Sequence, residues 1–558
     1  MKRNSKSNGT NKSSVRRGIV VQGGILAFAG ILCRLIGIAR KIPLEHIIGN
    51  DGNAYYSTAY EVYSMVLILS SYSLPSAVSK LIAQRQTRGQ YKKMQKVFEG
   101  SFIFAFIMGG IFSILVFVFS DFIATNIQAL PMSAHALRVL APTIFVVALM
   151  AVFRGYFQGL GVMHFTAISQ IIEQIIVVVV SLCGASLLFD KGEKYGNLMM
   201  NPDFGPAMGA AGATIGCCAG AIAGLIFMLV IYLHNKPAIE RRVITDTSKN
   251  KDSFIDIMFL ILKTALPMII SSALYNFTGI LDNSIYNHYM DRVGMSDIKK
   301  GLLGQYSGKY KLLINLPIAM ATAMCSAIIP SLAASIDTKD YVSARSKMAT
   351  TIRVTMIISI PSAIGLAIYG KPICNLLFKT DSSIAVIMLL YGSISVVFFA
   401  MSTLSNGILQ GINKVNIPVI NAIIGLIVNV GSIYLFLNVF KMGIHSMVVS
   451  NLLFALTITI LNHYAIYKTI QYKQELRQTF IIPLISSLIM GGVSFIFYII
   501  VKKLVNYQIG VIVAIIVAII VYFASLVLLK GVNEYDLSTI PYGNKIYRLL
   551  KKTGLYKS

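Results

Sequence analysis

The sequence predicts an all-α polytopic membrane protein with 14 transmembrane helices, and three observations carry that expectation. Apolar runs of about 20 residues, each long enough to cross roughly 30 Å of hydrocarbon, recur from one end of the chain to the other. Hydrophobic residues make up 56% of the chain and charged ones 13%, at a mean hydropathy of +0.71, a balance foreign to soluble proteins of this size. Short motifs also recur at a near-constant offset, which points to two halves of six spans each. The runs are too long for membrane-spanning strands, which alternate over about 10 residues.

Taken in order, a basic tail over 1–17 precedes the first run. Its flank lacks a small-residue cleavage pattern, so it reads as a retained helix rather than a removed signal peptide. Spans are expected at 18–42, 54–75, 98–120, 136–158, 163–189 and 206–233, forming an N-terminal lobe over 18–233. A cytoplasmic linker covers 234–263. A C-terminal lobe over 264–467 holds spans at 264–286, 305–330, 350–370, 382–404, 415–439 and 443–467. Two further spans, 479–502 and 509–530, lie within 468–530, and a second basic tail occupies 531–558.

Net charge is +27. In a soluble chain this would suggest nucleic acid. Here cationic cytoplasmic loops account for it, by fixing topology and meeting anionic lipid. With the N-terminus inside, the inner segments hold about 32 of the 49 Lys and Arg, so both termini are expected in the cytoplasm. The six cysteines show no metal-ligand or disulfide spacing. Trp is absent, leaving Tyr to supply any interfacial aromatic belt.

The repeat is read from "YSTAYE" at 56–61 and "YSGKYK" at 306–311, and from "GYFQG" at 155–159 and "GILQG" at 407–411. Six spans separate the copies. The halves are therefore expected as parallel repeats about a pseudo-two-fold along the membrane normal, facing a central cavity. The glycines of the second motif are expected to permit a tight inner turn. "GAAGATIG" at 209–216 reads as small-residue helix packing. The stretch after span 2 reads as a basic surface helix with Leu81, Ile82, Met94 and Val97 facing lipid, an arrangement repeated around 331–348.

Polar residues inside apolar runs are the candidates for function, because intramembrane charge is costly and faces protein or water. Arg34 and Arg40 lie in the first run, six residues and about 120° of helix apart, so they line one broad wall. The alternative is that the span ends early and both snorkel to the outer interface. Glu61 in span 2 and Lys311 in span 8 occupy repeat-equivalent places and could pair, with Lys309 nearby. Asp282 and Glu173 read equally as ion-pair members or as coupling residues. Lys80, just past span 2, reads first as headgroup-facing and second as substrate-facing. Gly37, Pro75 and Pro317 are candidate hinges. The excess charge is positive, which favours an anion such as phosphate. No phosphate-binding glycine motif, metal-ligand spacing or catalytic constellation appears, so neither an ATP-driven pump nor an enzyme is expected.

"RLIGIAR", "NAYYSTAYEVYSMVLILSSYSLPSAVSKLIA", "RGYFQG", "AISQIIEQ", "GAAGATIG" and "YSGKYKLLINLP" together resemble the polysaccharide-biosynthesis flippases of the multidrug/oligosaccharidyl-lipid/polysaccharide exporter superfamily. The nearest groups are the MurJ-like lipid II flippases and the stage V sporulation protein B group. The resemblance covers nearly the whole chain. It implies a flippase in the bacterial plasma membrane that carries an undecaprenyl-diphosphate-linked glycan, lipid II first, from inner to outer leaflet. It implies roles in peptidoglycan biosynthesis and cell shape, with membrane lipids and cell-wall synthesis proteins as partners. No cofactor or metal is implied; a monovalent ion or the membrane potential would couple transport. Arg34, Gly37 and Arg40 match the family's Arg-x-x-Gly-x-x-Arg arrangement, whereas Lys80, Lys309 and Lys311 match its further cavity cations only loosely. Left open are a capsule, teichoic-type or spore-cortex precursor as substrate, and a cation-coupled multidrug exporter.

Overall fold

The computed structural model describes residues 7–72, 74–246 and 254–531. Residues 1–6 of the expected N-terminal tail and 532–558 of the C-terminal one lie outside these residues. All regular structure among the described residues is helical, and the chain divides by packing into two units, Met1–Gly304 and Gln305–Ser558.

The first unit opens with α1 (Ser7–Leu67), two helices joined at Gly49, whose φ of 68° and ψ of −171° no L side chain adopts readily. Arms 7–48 and 50–67 correspond to the first two expected spans. A π-helical turn (Ile68–Tyr72) leads into α2 (Leu74–Thr87), then α3 (Tyr91–Val118), α4 (Ser120–Phe122), α5 (Ser133–Gly159), α6 (His164–Leu198), α7 (Phe204–Ile244), α8 (Phe254–Arg292) and α9 (Ser296–Gln305). Much of the expected 234–263 linker is therefore helical, and the helix of the seventh expected span packs with the first unit. The second unit holds a π-helical turn (Tyr306–Tyr310), α10 (Lys311–Asp337), α11 (Tyr341–Leu377), α12 (Ser383–Gly392), α13 (Ser395–Gly411), α14 (Asn416–Asn438), α15 (His445–Ile470), α16 (Ile482–Leu504) and α17 (Tyr507–Leu528).

Every expected span falls on helix. By length and composition, ten described helices could cross a membrane, or eleven if α12 and α13, bent by 59°, form one span. The stretch Phe28–Thr87 counts once there although Gly49 divides it. The chain is thus a multi-pass membrane protein.

The repeat is visible inside each unit. The turn before α3 uses a left-handed Gly89, and the turn before α11 a left-handed Lys339. Gly161 after α5 has its counterpart in Asn413 after α13, again at positive φ. The "GYFQG" and "GILQG" glycines make no turn. They lie within α5 and α13, where neighbours approach too closely for a side chain. A Cβ on Gly155 would stand 2.9 Å from the Pro75 carbonyl, and one on Gly407 2.0 Å from Cys325 Sγ. That close approach also overturns the lipid-facing assignment of the surface helix. Leu81, Ile82, Met94 and Val97 are buried against Phe98, Val152 and Tyr156 in the core of the first unit. Leu332, Ala344 and Met348 are buried likewise in the second.

At the end of the first unit, α9 is strapped to its neighbours. Lys299 donates to the Ala129 carbonyl at 2.7 Å and to Asp291, and Lys300 pairs with Asp203. Burial pulls the Asp291 carboxyl upward. The hydrogen bonds and charge from Lys299, with the Ser296 hydroxyl, outweigh this and hold it below its ordinary range.

Candidate functional site

The site forms around Arg40 in the first unit, and small residues make it possible. α6 and α7 approach so closely that a Cβ on Gly212 would fall 2.1 Å from the Gly184 carbonyl oxygen, as the small-residue stripe of α7 requires. This contact fixes Ser181 on α6, one turn from Gly184. Ser181 donates its proton to the Ala213 carbonyl at 2.7 Å, which leaves its oxygen free to accept from Arg40 Nη1 at 2.9 Å. From the arm 50–67, the Tyr56 hydroxyl accepts from Arg40 Nη2 at 2.9 Å. The Cys217 thiol of α7 lies near that hydroxyl. The Tyr56 ring stacks on Tyr60 with centroids 5.7 Å apart, and the Arg40 guanidinium carbon is 5.8 Å from its centroid.

Arg40 is 7% exposed. Its partners are neutral hydroxyls, and no carboxylate pairs with it among the described residues. A buried cation without a counter-ion is an unusual state, since burial of an ion is normally offset by pairing. Arg34 lies two turns earlier on the same arm, exposed and without a partner among the described residues. Between them the helix runs unbroken through Gly37, and the Gln174 side-chain oxygen sits 3.5 Å from where its Cβ would be.

The other expected residues are placed as follows. Glu173 pairs with Arg154 at 2.8 Å, and Arg154 also donates to Ser169, so this carboxylate ties α6 to α5. Glu61 accepts a hydrogen bond from Asn283, and Gly279 on α8 leaves room for its carboxylate. Asp282 is fully buried on α8. Lys80 is exposed on α2. Pro75 is the second residue of α2, whereas Pro317 is buried inside a continuous α10.

In the second unit Lys309 is fully buried. It donates to Thr380 Oγ1 at 2.7 Å, to Ser382 Oγ at 3.0 Å and to the Thr380 and Asp381 carbonyls, which engages its ammonium in holding that loop. Lys311 lies 4.9 Å from the centroid of Tyr306, which stacks on Tyr310 with centroids 5.7 Å apart. The stacked tyrosine pair is therefore repeated in both units, each with a cation against its first ring. The structure brings Arg40, Tyr56 and Tyr60 together; Lys309 and Lys311 belong to the other unit. Sequence reading missed Ser181, Cys217 and the tyrosines. The repeated Tyr-x-x-x-Tyr spacing, which stacks rings one turn apart, was the available signal.

A profile described as polysaccharide biosynthesis protein matches residues 20–336. The chain belongs to this family. A second profile of the same superfamily, MatE, matches 267–435. Among curated proteins, the lipid II flippase MurJ of Bacillus subtilis strain 168 is 24% identical, over 72% of this chain and 74% of the relative. Stage V sporulation protein B of the same organism is 21% identical, over 74% of this chain and 76% of the relative. A solved structure of a lipid II flippase MurJ in an inward closed conformation superposes with a TM-score of 0.62 at 17% identity, covering 89% of this chain and 97% of that one. This last likeness establishes the shared fold.

Proposed function

We propose that this member of the polysaccharide biosynthesis protein family is a flippase. It moves an undecaprenyl-diphosphate-linked cell-wall precursor, with lipid II the first choice, from the inner to the outer leaflet of the bacterial plasma membrane. The observation that carries the reading is Arg40, a buried guanidinium held by hydroxyls and lacking an acid. A diphosphate would replace the Ser181 and Tyr56 hydroxyls with anionic oxygens, and arginine binds such groups bidentately. Arg34, exposed and unpaired among the described residues on the same arm, is the first contact. Binding at Arg40 requires a state in which it is uncovered, as alternating access between two parallel lobes supplies. An ion gradient or the membrane potential resets the cycle, and no covalent chemistry is involved. The lipid II flippase and sporulation protein among the relatives support this substrate class.

The test is rescue of cells depleted of their lipid II flippase. The wild-type chain restores peptidoglycan synthesis and cell shape, whereas R34Q and R40Q, expressed at equal levels, do not. Failure of the wild type here, with rescue of a capsule or spore-cortex defect, moves the substrate to another lipid-linked glycan. Efflux of cationic dyes without either rescue identifies a drug exporter and refutes the reading.

A further inference from the structure

α11 is long and apolar enough to cross a membrane, and it ends at Leu377. Just beyond, an open cavity of about 570 Å³ lies between its last turns and the start of α12. The expected span 350–370 ends one residue before Lys371, where hydrocarbon gives way to headgroups, so this cavity lies at headgroup depth. Its lining includes Lys371, Asn375, Lys379, Thr380 and Ser383. Lys371 and Lys379 are exposed and make no hydrogen bond or ion pair among the described residues.

The one carboxylate in the lining, Asp381, is engaged: it accepts the Ser383 N–H and hydroxyl and the Gln305 amide, all at 3.0 Å. From the core side the buried Lys309 ammonium grips the Thr380–Ser382 loop, which fixes the floor and adds positive charge beneath it. The result is a preformed pocket of ammonium and amide donors, suited to phosphate oxygens. The fold itself does not require this charge. The repeat-equivalent of Lys371 in the first unit, at the 250-residue offset, is Asp121, which pairs with Arg138.

We propose that this cavity binds the phosphate group of a lipid headgroup, with Lys371 and Lys379 as its cationic contacts. The inference rests on the membrane location of the chain and is independent of what the chain transports.

The test uses the full chain in detergent, titrated separately with phosphatidylglycerol, undecaprenyl diphosphate and dioleoylglycerol, with bound lipid counted by native mass spectrometry. K371Q/K379Q is expected to weaken binding of the phosphate lipids at least about tenfold, the loss typical of hydrogen bonds to charged groups. K371R/K379R is expected to retain binding. Loss for both phosphate lipids identifies the phosphate as the recognised group. Loss for one alone assigns either a bulk phospholipid or a lipid-linked carrier as its source. Unchanged binding of both, or an equal fall for dioleoylglycerol, overturns the proposal. Phosphatidylglycerol, which the transport reading does not place at Arg40, reports on this cavity alone, so failure here and failure of the transport reading are distinguishable.

Discussion

Gly212→Ala tests whether the α6–α7 contact positions Arg40. The new Cβ would lie 2.1 Å from the Gly184 carbonyl oxygen, 2.5 Å from its carbon and 2.9 Å from the Ala185 nitrogen, where ordinary contact begins at 3.4 Å. All three are backbone atoms, so no side chain can rotate away and the helices must part locally by about 1 Å. Overpacking of this kind costs about 1–3 kcal/mol, and the upper end applies because the obstacle is rigid. The displaced α6 carries Ser181, so Arg40 loses one of its two hydroxyl partners at the same time. Gly110→Ala on α3 is the control. Nothing lies within 4 Å of its Cβ position, so it should be neutral or stabilise by up to about 1 kcal/mol through helix propensity. Urea unfolding in mixed micelles measures both variants. R40Q should be less than additive with G212A, because each disrupts the same contact. Equal stability of G212A and G110A, or full additivity with R40Q, refutes the link from glycine stripe to arginine.

Two further outcomes follow from the charge pairs. Arg154 and Glu173 are only 13% and 19% exposed at the side chain, so R154Q or E173Q alone should destabilise by about 3 kcal/mol while R154Q/E173Q loses less than the sum; a double-mutant cycle in micelles showing strict additivity would mean the two are uncoupled. Asp291 has a depressed pKa when folded, so its stabilisation is present above the ordinary aspartate value of 3.8 and disappears as pH falls through the depressed one. D291N should therefore flatten the acid limb of melting temperature as pH falls below about 4, and parallel curves for both proteins there would refute this.

Hydropathy made the spans legible because hydrocarbon demands long apolar helices, and all the expected segments fall on helix. The repeat was legible too. Its offset reappears in backbone conformation at Gly89 and Lys339 and at Gly161 and Asn413, where the chain reverses. What apolar pattern cannot distinguish is lipid from protein interior, since both accept the same side chains. Leu81 and Ile82 were assigned to lipid for that reason, yet both are buried in the core, Ile82 against Gly159. Lys309 was legible as an intramembrane cation but not as a caged one, because its acceptors arrive from about 70 residues downstream, at Thr380–Ser382. Arg40 was legible as an anomaly; its hydroxyl environment was not, since Ser181 is a residue that sequence gives no reason to single out.

The missing acid beside Arg40 separates a structural arginine from a binding one. If the role were structural, a carboxylate would be the stabilising neighbour, because a buried cation without a counter-ion bears the full cost of desolvation. Cys217 is half-buried, close to the Tyr56 hydroxyl and within electrostatic reach of Arg40. C217D therefore supplies the acid, and should stabilise the chain by about 1–3 kcal/mol, as pairing offsets the buried charge. C217N, of the same shape without charge, should not. If Arg40 receives a diphosphate, the same substitution occupies its donors and repels the ligand, so C217D should abolish rescue in flippase-depleted cells while C217N retains it. Stability rising as transport falls is the signature of a site that holds strain for function. A C217D protein that is both more stable and fully active would show that Arg40 is not where the anion binds.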